Sequence, residues 1–518
     1  MEKQFIETER NPVAVKTASI PVLDYTVFFD AVDKMMASED VHCLAYFVAP
    51  ENDNYRFICC MADDAAGKVR ILSHMRESQV DTELKSLTAS HFAFHVFERE
   101  IHENYGIRFS DHPWLKPVRY PFDRSDLTKN MNNYPFFTIE GDHLHEVGVG
   151  PIHAGVIEPG YFRFICKGEH VLHLEIQLGY QHRGIEKLFI HKKWLLARSI
   201  LSESIAGDTV VGHALSYAMV MESLAGNNVS SILATERIIA LELERIAIHI
   251  GDTAALCTDI AYQFGQVVNE ALRTLVINTT QLWCGNRFGK GLIRPGGSNY
   301  PLTNEVRDVI LKNLQEVEER YRQVTERIFS LTSVLGRFEG TGKVTTMQAS
   351  LVGAVGMAAR SSGMYRDIRW SHPFSAFVGF LFEPVMLHKG DVWSRAMLRK
   401  LEVERSIAVI RELLEKFTIY DLRFTNAEIE NPKSEIRNPK YDLRFTPLTL
   451  AISLTEGWRG EICHVALTDD SGKIIHYKAK DPSLHNWMAL ALAMKNQEIS
   501  DFPLCNKSFN LSYCGNDL

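Results

Sequence analysis

Two short polar segments and one histidine carry the side chains best suited to chemistry. The segment "HRGIEK" supplies Arg183 and Glu186, and the segment "GWRGE" supplies Arg459. The histidine is His213, which directly precedes the apolar run "ALSYAMVM". A carboxylate whose pKa is raised by burial can carry protons. A guanidinium can bind an anionic or polar group through two hydrogen bonds. These residues are therefore candidates for a buried polar site, although a lone histidine at a helix start is more often a structural group than a ligand.

The charged candidates have structural interpretations of equal weight. Arg183 and Glu186 are close enough in sequence to form an ion pair, and Arg459 could pair with Glu456 or Glu461. In that case the polar segments would tie the fold together without touching a substrate. The residues alone leave both alternatives open.

Composition excludes several classes of protein and site. The nine cysteines are scattered and form no CxxC pair, which indicates reduced core thiols and neither a disulfide framework nor a zinc site. A net charge of -8 gives no support for a basic nucleic-acid surface. The charged start "MEKQFIETERNP" does not resemble a signal peptide. No apolar run reaches the roughly 18 residues of a membrane helix.

The elements that must position these residues predict an α+β protein with two domains. Residues 1–130 form a small α+β domain, with strands at "VHCLAYFVAP" and "YRFICCMA" and a helix over 82–107 that ends near Gly106. The polar segment "RSDLTKNMNNYPF" suggests a boundary within 125–140.

Residues 140–518 are predicted to be mainly helical, with small β pieces. Two alternating runs around Phe162 and Leu174, joined by Lys167-Gly168, predict a β-hairpin. Helical periodicity then dominates, with one long helix over 304–335 and a late β-rich piece near residues 460–483. Asp208 and Thr209 precede a helix and are typical N-cap residues. "YDLRFT" occurs at 420–425 and again at 441–446, which indicates a duplicated surface insertion over 420–446.

Long motifs resemble two subunits of respiratory complex I (NADH-quinone oxidoreductase). "FEREIHENYGIRFSDHPWL" (97–115) resembles its C subunit. A series of later segments resembles the D subunit of complex I. The same segments equally resemble the large subunit of membrane-bound, energy-converting nickel–iron hydrogenases of the formate hydrogenlyase type. In the expected order they are "GPIHAGVIEPGYFRF" (150–164), "YQHRGIEKL" (180–188), "GNRFGKGLIRPGG" (285–297), "SGMYRDIRWSHPF" (362–374), "GDVWSRAMLRKLEVERS" (390–406) and "EGWRGEICHVALTD" (456–469).

The resemblance implies a nickel–iron site whose ligands are missing here. In the hydrogenases, two CxxC pairs supply four thiolates, soft ligands that suit these metals. The four cysteine positions fall on Ala206, Thr209, Ser512 and Gly515, whereas His213 falls on the family's histidine. We therefore expect the chain to bind no metal or cofactor of its own. Aberrant ligation through Cys514, Cys505 and His213 remains an alternative.

The resemblance also implies that the quinone ligands of complex I are replaced. Its histidine position falls on Pro159 and its tyrosine position on Gly207. His153 and Tyr161, together with Arg183, are the substitutes that we expect to bind a substrate.

Two further roles follow from the same resemblance. Glu186 lies where the hydrogenases have a proton-exit route, and Arg459 matches the arginine over the diatomic ligands. Both residues, with His213, are the candidate catalytic groups.

The function implied is that of an oxidoreductase subunit within a membrane-associated complex that couples electron transfer to ion translocation. The alternatives are a non-catalytic coupling subunit and, after it, an active hydrogenase or quinone reductase. The implied partners are a small iron–sulfur subunit, whose cluster would face residues 153, 183 and 213, and ion-pumping membrane subunits. The expected location is cytoplasmic, on the inner face of the membrane through those partners.

Overall fold

The computed structural model describes residues 3–153, 157–416 and 443–518, and these residues form an α+β fold. The strands are β1 Ile6–Thr8, β2 Val13–Lys16, β3 Val22–Leu23, β4 Val41–Glu51, β5 Asn54–Asp63, β6 Lys68–Glu77, β7 Leu84–Lys85, β8 Phe109–Ser110, β9 Leu144–Val149, β10 Tyr161–Lys167, β11 His170–Gln177, β12 Thr449–Glu456, β13 Glu461–Thr468 and β14 Ile474–Lys480. The α-helices are α1 Tyr25–Met36, α2 His95–Tyr105, α3 Ile185–His191, α4 Leu195–Ser202, α5 Val210–Ala225, α6 Ser231–Asp259, α7 Gln263–Cys284, α8 Asn304–Ile328, α9 Thr332–Phe338, α10 Thr346–Leu351, α11 Gly356–Arg360, α12 Ile368–Ser371, α13 Val392–Lys416, α14 Ser483–Ala493, α15 Phe502–Phe509 and α16 Tyr513–Asn516.

The N-terminal sheet is built from the apolar runs seen in the sequence. Its order is β1-β6-β5-β4, with β3 parallel to β6, and β4 and β5 form the predicted pair of strands. The helix predicted over 82–107 is wrong in its first half, where the chain forms β7 and a short 3₁₀ turn before α2 begins at His95. Glu98 explains this start, because its buried carboxylate accepts hydrogen bonds from the backbone N–H groups of Leu87 and Thr88. Its predicted end is correct, since Gly106 closes the helix at a φ of 70°.

The first residues of the chain belong to a different sheet. β2 adds to the C-terminal sheet, whose order is β14-β13-β12-β2, and Val13 pairs with Ile452. Asn11 strengthens this junction by donating from Nδ2 to the carbonyls of His372 and Leu454, while its Oδ1 accepts from Leu454. The N-terminal segment is therefore part of the support for the late strands.

The predicted hairpin is present, with its turn at Gly168 (φ 60°), and a third strand, β9, flanks it on the β10 side. Helices α6, α7, α8 and α13 pack together beside the sheets. Ser230 and Thr303 cap α6 and α8 by accepting from backbone N–H groups. The single helix predicted over 304–335 is wrong, because α8 ends at Ile328 and α9 starts anew at Thr332.

One apolar core joins the two predicted halves of the chain. It includes Ala45 and Ile58 from the N-terminal sheet as well as Phe162, Leu241 and Val465. The division into domains 1–130 and 140–518 stays a prediction. Most of the duplicated insertion, residues 420–442, lies outside the described residues. No helix in the described part of the chain is long and apolar enough to cross a bilayer.

Candidate functional site

His213 occupies a fully buried position between two polar side chains. Its Nδ1 lies 3.1 Å from Nε2 of His464, and its Nε2 lies 3.0 Å from Oδ2 of Asp481. The second ring nitrogen of His464 contacts the Tyr477 hydroxyl at 2.6 Å. A continuous hydrogen-bonded row therefore runs from Tyr477 through both histidines to Asp481.

The helix that carries His213 is capped from a neighbouring helix. Thr209 stands at the N-cap of α5, but its side chain accepts no capping hydrogen bond, so the predicted cap is wrong. Glu244 of α6 takes that role, because its carboxyl accepts from the N–H groups of Val211 at 2.7 Å and Gly212 at 3.1 Å. Burial, which outweighs these two bonds, raises the pKa of Glu244 to about 8, with a further contribution from the charge of Asp208.

Arg459 is buried and fully engaged. Its Nη1 and Nη2 donate to the two carboxylate oxygens of Asp208 at 2.7 and 2.6 Å, and Nε donates to the Asn510 carbonyl. The guanidinium also lies over the Trp458 ring, 4.0 Å from its centroid. The sequence interpretation that Arg459 pairs with Glu456 or Glu461 is wrong, since Glu456 binds Arg360 and Glu461 binds His42 and Lys480.

Glu186 belongs to a separate polar cluster. Its carboxylate lies 3.1 Å from Nζ of Lys478 and 3.6 Å from Nη1 of Arg119, and it accepts from the Ala479 N–H. Glu100 of α2 binds the same lysine and arginine. The predicted Arg183–Glu186 ion pair is wrong, and Glu186 instead links α3 to β14 and the N-terminal half.

Arg183 connects two loops at the surface. It donates to the backbone carbonyls of Ser204, Ile205 and Cys514, at 2.7, 2.9 and 3.4 Å. This contact joins the entry to α5 with the C-terminal segment.

His153 and Tyr161 lie at the base of the hairpin. A ring nitrogen of His153 contacts the Gly160 carbonyl at 2.9 Å, and the Tyr161 ring packs edge-on against Phe136. Tyr513 of the C-terminal segment lies beside Gly160, because a Cβ built there would meet its ring at 2.7 Å. The two candidate substrate ligands therefore flank the His213 region and do not enter the His213 row.

Two family models match this chain. Residues 19–129 match the 30 Kd subunit of respiratory-chain NADH dehydrogenase, and residues 260–517 match its 49 Kd subunit. The chain belongs to the complex I superfamily. It is a fusion of a 30-kDa-type and a 49-kDa-type domain.

Curated relatives include both hydrogenases and complex I subunits. A carbon monoxide-induced hydrogenase of Rhodospirillum rubrum is 29% identical over 71% of this chain and 97% of its own length. Subunit 4 of the NADH-quinone oxidoreductase of Thermus thermophilus is 27% identical over 68% of this chain and 89% of its own. The relatives thus include hydrogenases, one of them named a membrane-bound hydrogenase subunit, and subunits of NADH-quinone oxidoreductase.

A solved structure has the same fold. The membrane-bound sulfane sulfur reductase, an archaeal respiratory membrane complex, contains a chain that aligns with a TM-score of 0.64 and 20% identity. The alignment covers 73% of this chain and 99% of that one.

The fold brings together the four positions at which the sequence resemblance places the hydrogenase cysteines. Ala206 and Gly515 have no side-chain donor. The Thr209 hydroxyl accepts from Arg459 and donates to Asp208, and the Ser512 hydroxyl accepts from the Gly515 N–H. A Cβ at Gly515 would lie 2.7 Å from Cγ of Asp481 and 2.9 Å from the Ser512 oxygen. These residues do not fit a nickel–iron centre, in donor type or in space.

The two nearby cysteines are not arranged as ligands of one metal site. Burial raises the pKa of the Cys514 thiol to about 11, and that of Cys505 to about 12. Cys514 lies 3.4 Å from the Ser512 hydroxyl, whereas Cys505 lies beside Gly342. Within residues 3–153, 157–416 and 443–518, no three His, Cys, Asp or Glu side chains converge as a metal site would require.

Sequence reasoning missed the acidic partners of this site. Asp481 contacts His213, and Asp208 contacts Arg459. Glu244 contacts the start of α5. Asp481 directly follows β14, and His464 sits in the alternating strand β13. Neither carries a spacing signal, because their partners are 268 and 251 positions away.

Proposed function

We propose that this chain is a peripheral subunit of a complex I-related oxidoreductase complex at the cytoplasmic face of a membrane. The complex would couple electron transfer to ion translocation. The names and the shared architecture of the relatives support this assignment. The chain itself would bind no cofactor.

We further propose that the nickel–iron site has been lost. The observation that carries this proposal is the packing at Gly515, where the Asp481 carboxylate occupies the space a cysteine side chain would need. Asp481 is in turn fixed by His213 and by the Ser483 N–H. A metal could enter only if this buried network were dismantled.

An acceptor could still be reduced near the rim of the former site. Gly207 is exposed and has open space around its Cα, and the Asp208 side chain is 35% exposed while it holds buried Arg459. A polar or anionic molecule that displaced Asp208 would meet the Arg459 guanidinium with two donors in place. Arg459 would thereby act as the catalytic group suggested by the sequence, with His213 and Asp481 behind it.

The partner implied is a small subunit that carries an iron–sulfur cluster. The surface around Arg183, His153 and Gly207 is the candidate docking face, and Ile152, next to His153, is 85% exposed there. Membrane subunits that move ions would complete the assembly.

The second candidate function is coupling without chemistry. It is favoured by the saturation of Arg459, whose three guanidinium nitrogens all have partners, and by the position of Glu186 between the two halves of the chain. In this case Glu186, Arg119 and Lys478 would transmit movement or charge toward the membrane arm.

Measurements on the purified complex test these proposals. Elemental analysis should find nickel far below one atom per complex, with no hydrogen uptake, and stoichiometric nickel would overturn the loss of the site. Arg459→Met should reduce electron transfer to the acceptor at least tenfold if the rim is catalytic, whereas Asp208→Asn, which weakens the competing ion pair, should preserve it. Glu186→Gln should spare that rate but uncouple ion movement. Unchanged turnover in Arg459→Met would leave only the coupling function.

A further inference from the structure

A cavity of about 250 Å³ lies behind the hairpin, and Gly207 is not among the residues that line it. It is enclosed by α2, the proline-rich loop after β8, strand β11 and helix α14. Its walls are mostly apolar and include four aromatic side chains, Phe92, Trp114, Tyr134 and Trp487. Drug-sized ligands fill about 300–1,000 Å³, so this space suits a molecule with a single ring.

The cavity contains a buried histidine without partners. His95 is 3% exposed, and neither of its ring nitrogens makes a hydrogen bond within the described part of the chain. Burial holds its pKa well below the usual value, so the ring is neutral and offers one donor and one acceptor. Nε2 of His173, on the opposite wall, also lacks a partner there. A buried polar atom left unpaired is costly, and a ligand would remove that cost.

A second feature gives the cavity a positive charge. Arg99 is 9% exposed and donates from Nε and Nη2 to the carbonyls of Lys116 and Pro117, both at 2.7 Å. Nη1 makes no hydrogen bond, and no carboxylate lies within 4.0 Å of the guanidinium, in the part of the chain that the structure describes. Glu175 does not balance this charge, because it already binds Lys116 at 2.6 Å. A buried cation without an anion is unusual and indicates a missing negative partner.

We propose that this cavity binds a small planar aromatic anion, one ring bearing a carboxylate. The ring would stack between the aromatic walls, whose faces and edges favour such contacts. The carboxylate would accept from Nη1 of Arg99 and from the donor nitrogen of His95. The proposal does not depend on the electron-transfer function proposed above.

The position of the cavity connects it to the former metal site. Trp487 lines the cavity and donates from Nε1 to the Ser512 carbonyl at 3.3 Å, and Asn516 contributes to the same wall. An aromatic ring in the cavity would therefore rest against the segment that carries Ser512 and Gly515. A bound ring would therefore contact α16 through Asn516, and Gly515, which packs against Asp481, belongs to the same helix.

Titration of the full chain with benzoate, and in parallel with its uncharged analogue benzamide, tests this inference by calorimetry and tryptophan fluorescence. We expect saturable binding of benzoate at least tenfold tighter than that of benzamide. Arg99→Met should remove that preference, and Ala491→Phe, which fills the cavity and leaves Arg99 intact, should abolish binding of both. Arg108→Gln, a half-exposed arginine on the same domain, is the matched control and should change nothing.

Three results would overturn the proposal. They are equal affinity for the two compounds in the parent chain, benzoate binding that survives Ala491→Phe, and the absence of saturable binding by either compound. Because Arg99 also holds two loop carbonyls, circular dichroism must show that Arg99→Met is folded. The cavity-filling variant decides the matter if it is not.

Discussion

Individual residues of the His213 region pair closely with carboxylates of the protein. Glycine at 515 permits Asp481 to approach, and Oδ2 of Asp481 lies 3.0 Å from Nε2 of His213. Asp208 binds Arg459 in the same way. Under the proposed loss of the nickel–iron site, these carboxylates would fill the space that the metal ligands occupy in the hydrogenases.

A methyl group at position 515 should therefore be costly. Gly515→Ala places Cβ 2.7 Å from Cγ of Asp481, and we expect a loss of about 1–3 kcal/mol in the free energy of unfolding. The matched control is Gly207→Ala, because nothing lies within 4 Å of a Cβ at that position. Urea unfolding of both variants measures the difference, and equal stability would refute the packing argument.

Removing the charge of Asp208 should expose the cost of an unpaired buried arginine. Asp208→Asn keeps the shape but leaves Arg459, which is 3% exposed, without its counter-ion. We expect a loss of about 2–3 kcal/mol. The exposed helix pair Arg320–Glu316 provides the comparison, and Arg320→Gln should cost less than about 0.5 kcal/mol. Similar losses in the two variants would contradict a buried pair.

The sequence identified the members of this site better than their partners. The motifs place six residues in one region, and the fold brings these residues together: Ala206, Thr209, Ser512, Gly515, His213 and Arg459. The partners of Arg459 and Glu186 were wrongly predicted as near neighbours in sequence. Tertiary pairing decided both, since Asp208 is 251 positions from Arg459 and no local rule selects it.

At the scale of elements, β2 and the duplicated insertion differ sharply in what they contribute. β2 pairs with β12 along four residues and adds the Asn11 junction. The insertion repeats "YDLRFT" and adds polar, proline-containing sequence. A small, well-paired element should matter more than a longer duplicated one.

Two deletions test this contrast. Excision of residues 421–441 restores a single "YDLRFT" and should change the free energy of unfolding by less than about 1 kcal/mol, because loop length has a weak effect on stability. Removal of residues 1–16 eliminates β2 and should lower the thermal midpoint by several degrees. If the longer deletion proves the more damaging one, the duplicated segment has a structural role.

Elements were predicted well where one physical signal dominated. Helical periodicity correctly predicted the mainly helical region that contains α5, α6 and α7, and alternation with a glycine turn located β10 and β11. The helix over 82–107 failed because Glu98 binds the preceding backbone and stabilises a turn there. Strand β9 was missed because its sequence, "LHEVGV", has too few apolar residues to predict a strand by itself.

At the scale of the whole molecule, the two halves meet across a face that contains two histidines, the partly buried His476 and the buried His485. His476 stacks on Phe47 at 4.7 Å, and His485 packs edge-on against Phe97. Burial lowers the pKa of His476 to about 4 and that of His485 to about 3. Lys478 lowers the value for His476 further, while Glu100 opposes it.

Acid should therefore weaken the contact between the halves. An unfolded histidine binds its proton near pH 6.5, whereas these folded ones remain neutral to about pH 4. Because the unfolded chain then binds more protons, the contribution of His476 is complete above pH 6.5 and is lost as the pH falls toward 4.

The size of this effect can be isolated in one variant. His476→Gln should reduce the dependence of unfolding free energy on pH by up to about 1.4 kcal/mol per unit between pH 6.5 and 4. The exposed His145→Gln serves as the control. Denaturant titrations at four or five pH values give the slopes, and identical slopes for all three proteins would exclude His476 as an acid-sensitive group.

The pairing of β2 with β12 also constrains the order in which the chain can mature. Asn11 and Leu454, which bond across this junction, are separated by 443 positions. A ribosome that adds about 5–20 residues per second needs about 20–90 s to produce the second partner after the first. Throughout that interval the segment that forms β2 is present on the nascent chain, but its partner strand β12 has not yet been synthesised. Chaperones have that time to reach it before the sheet closes.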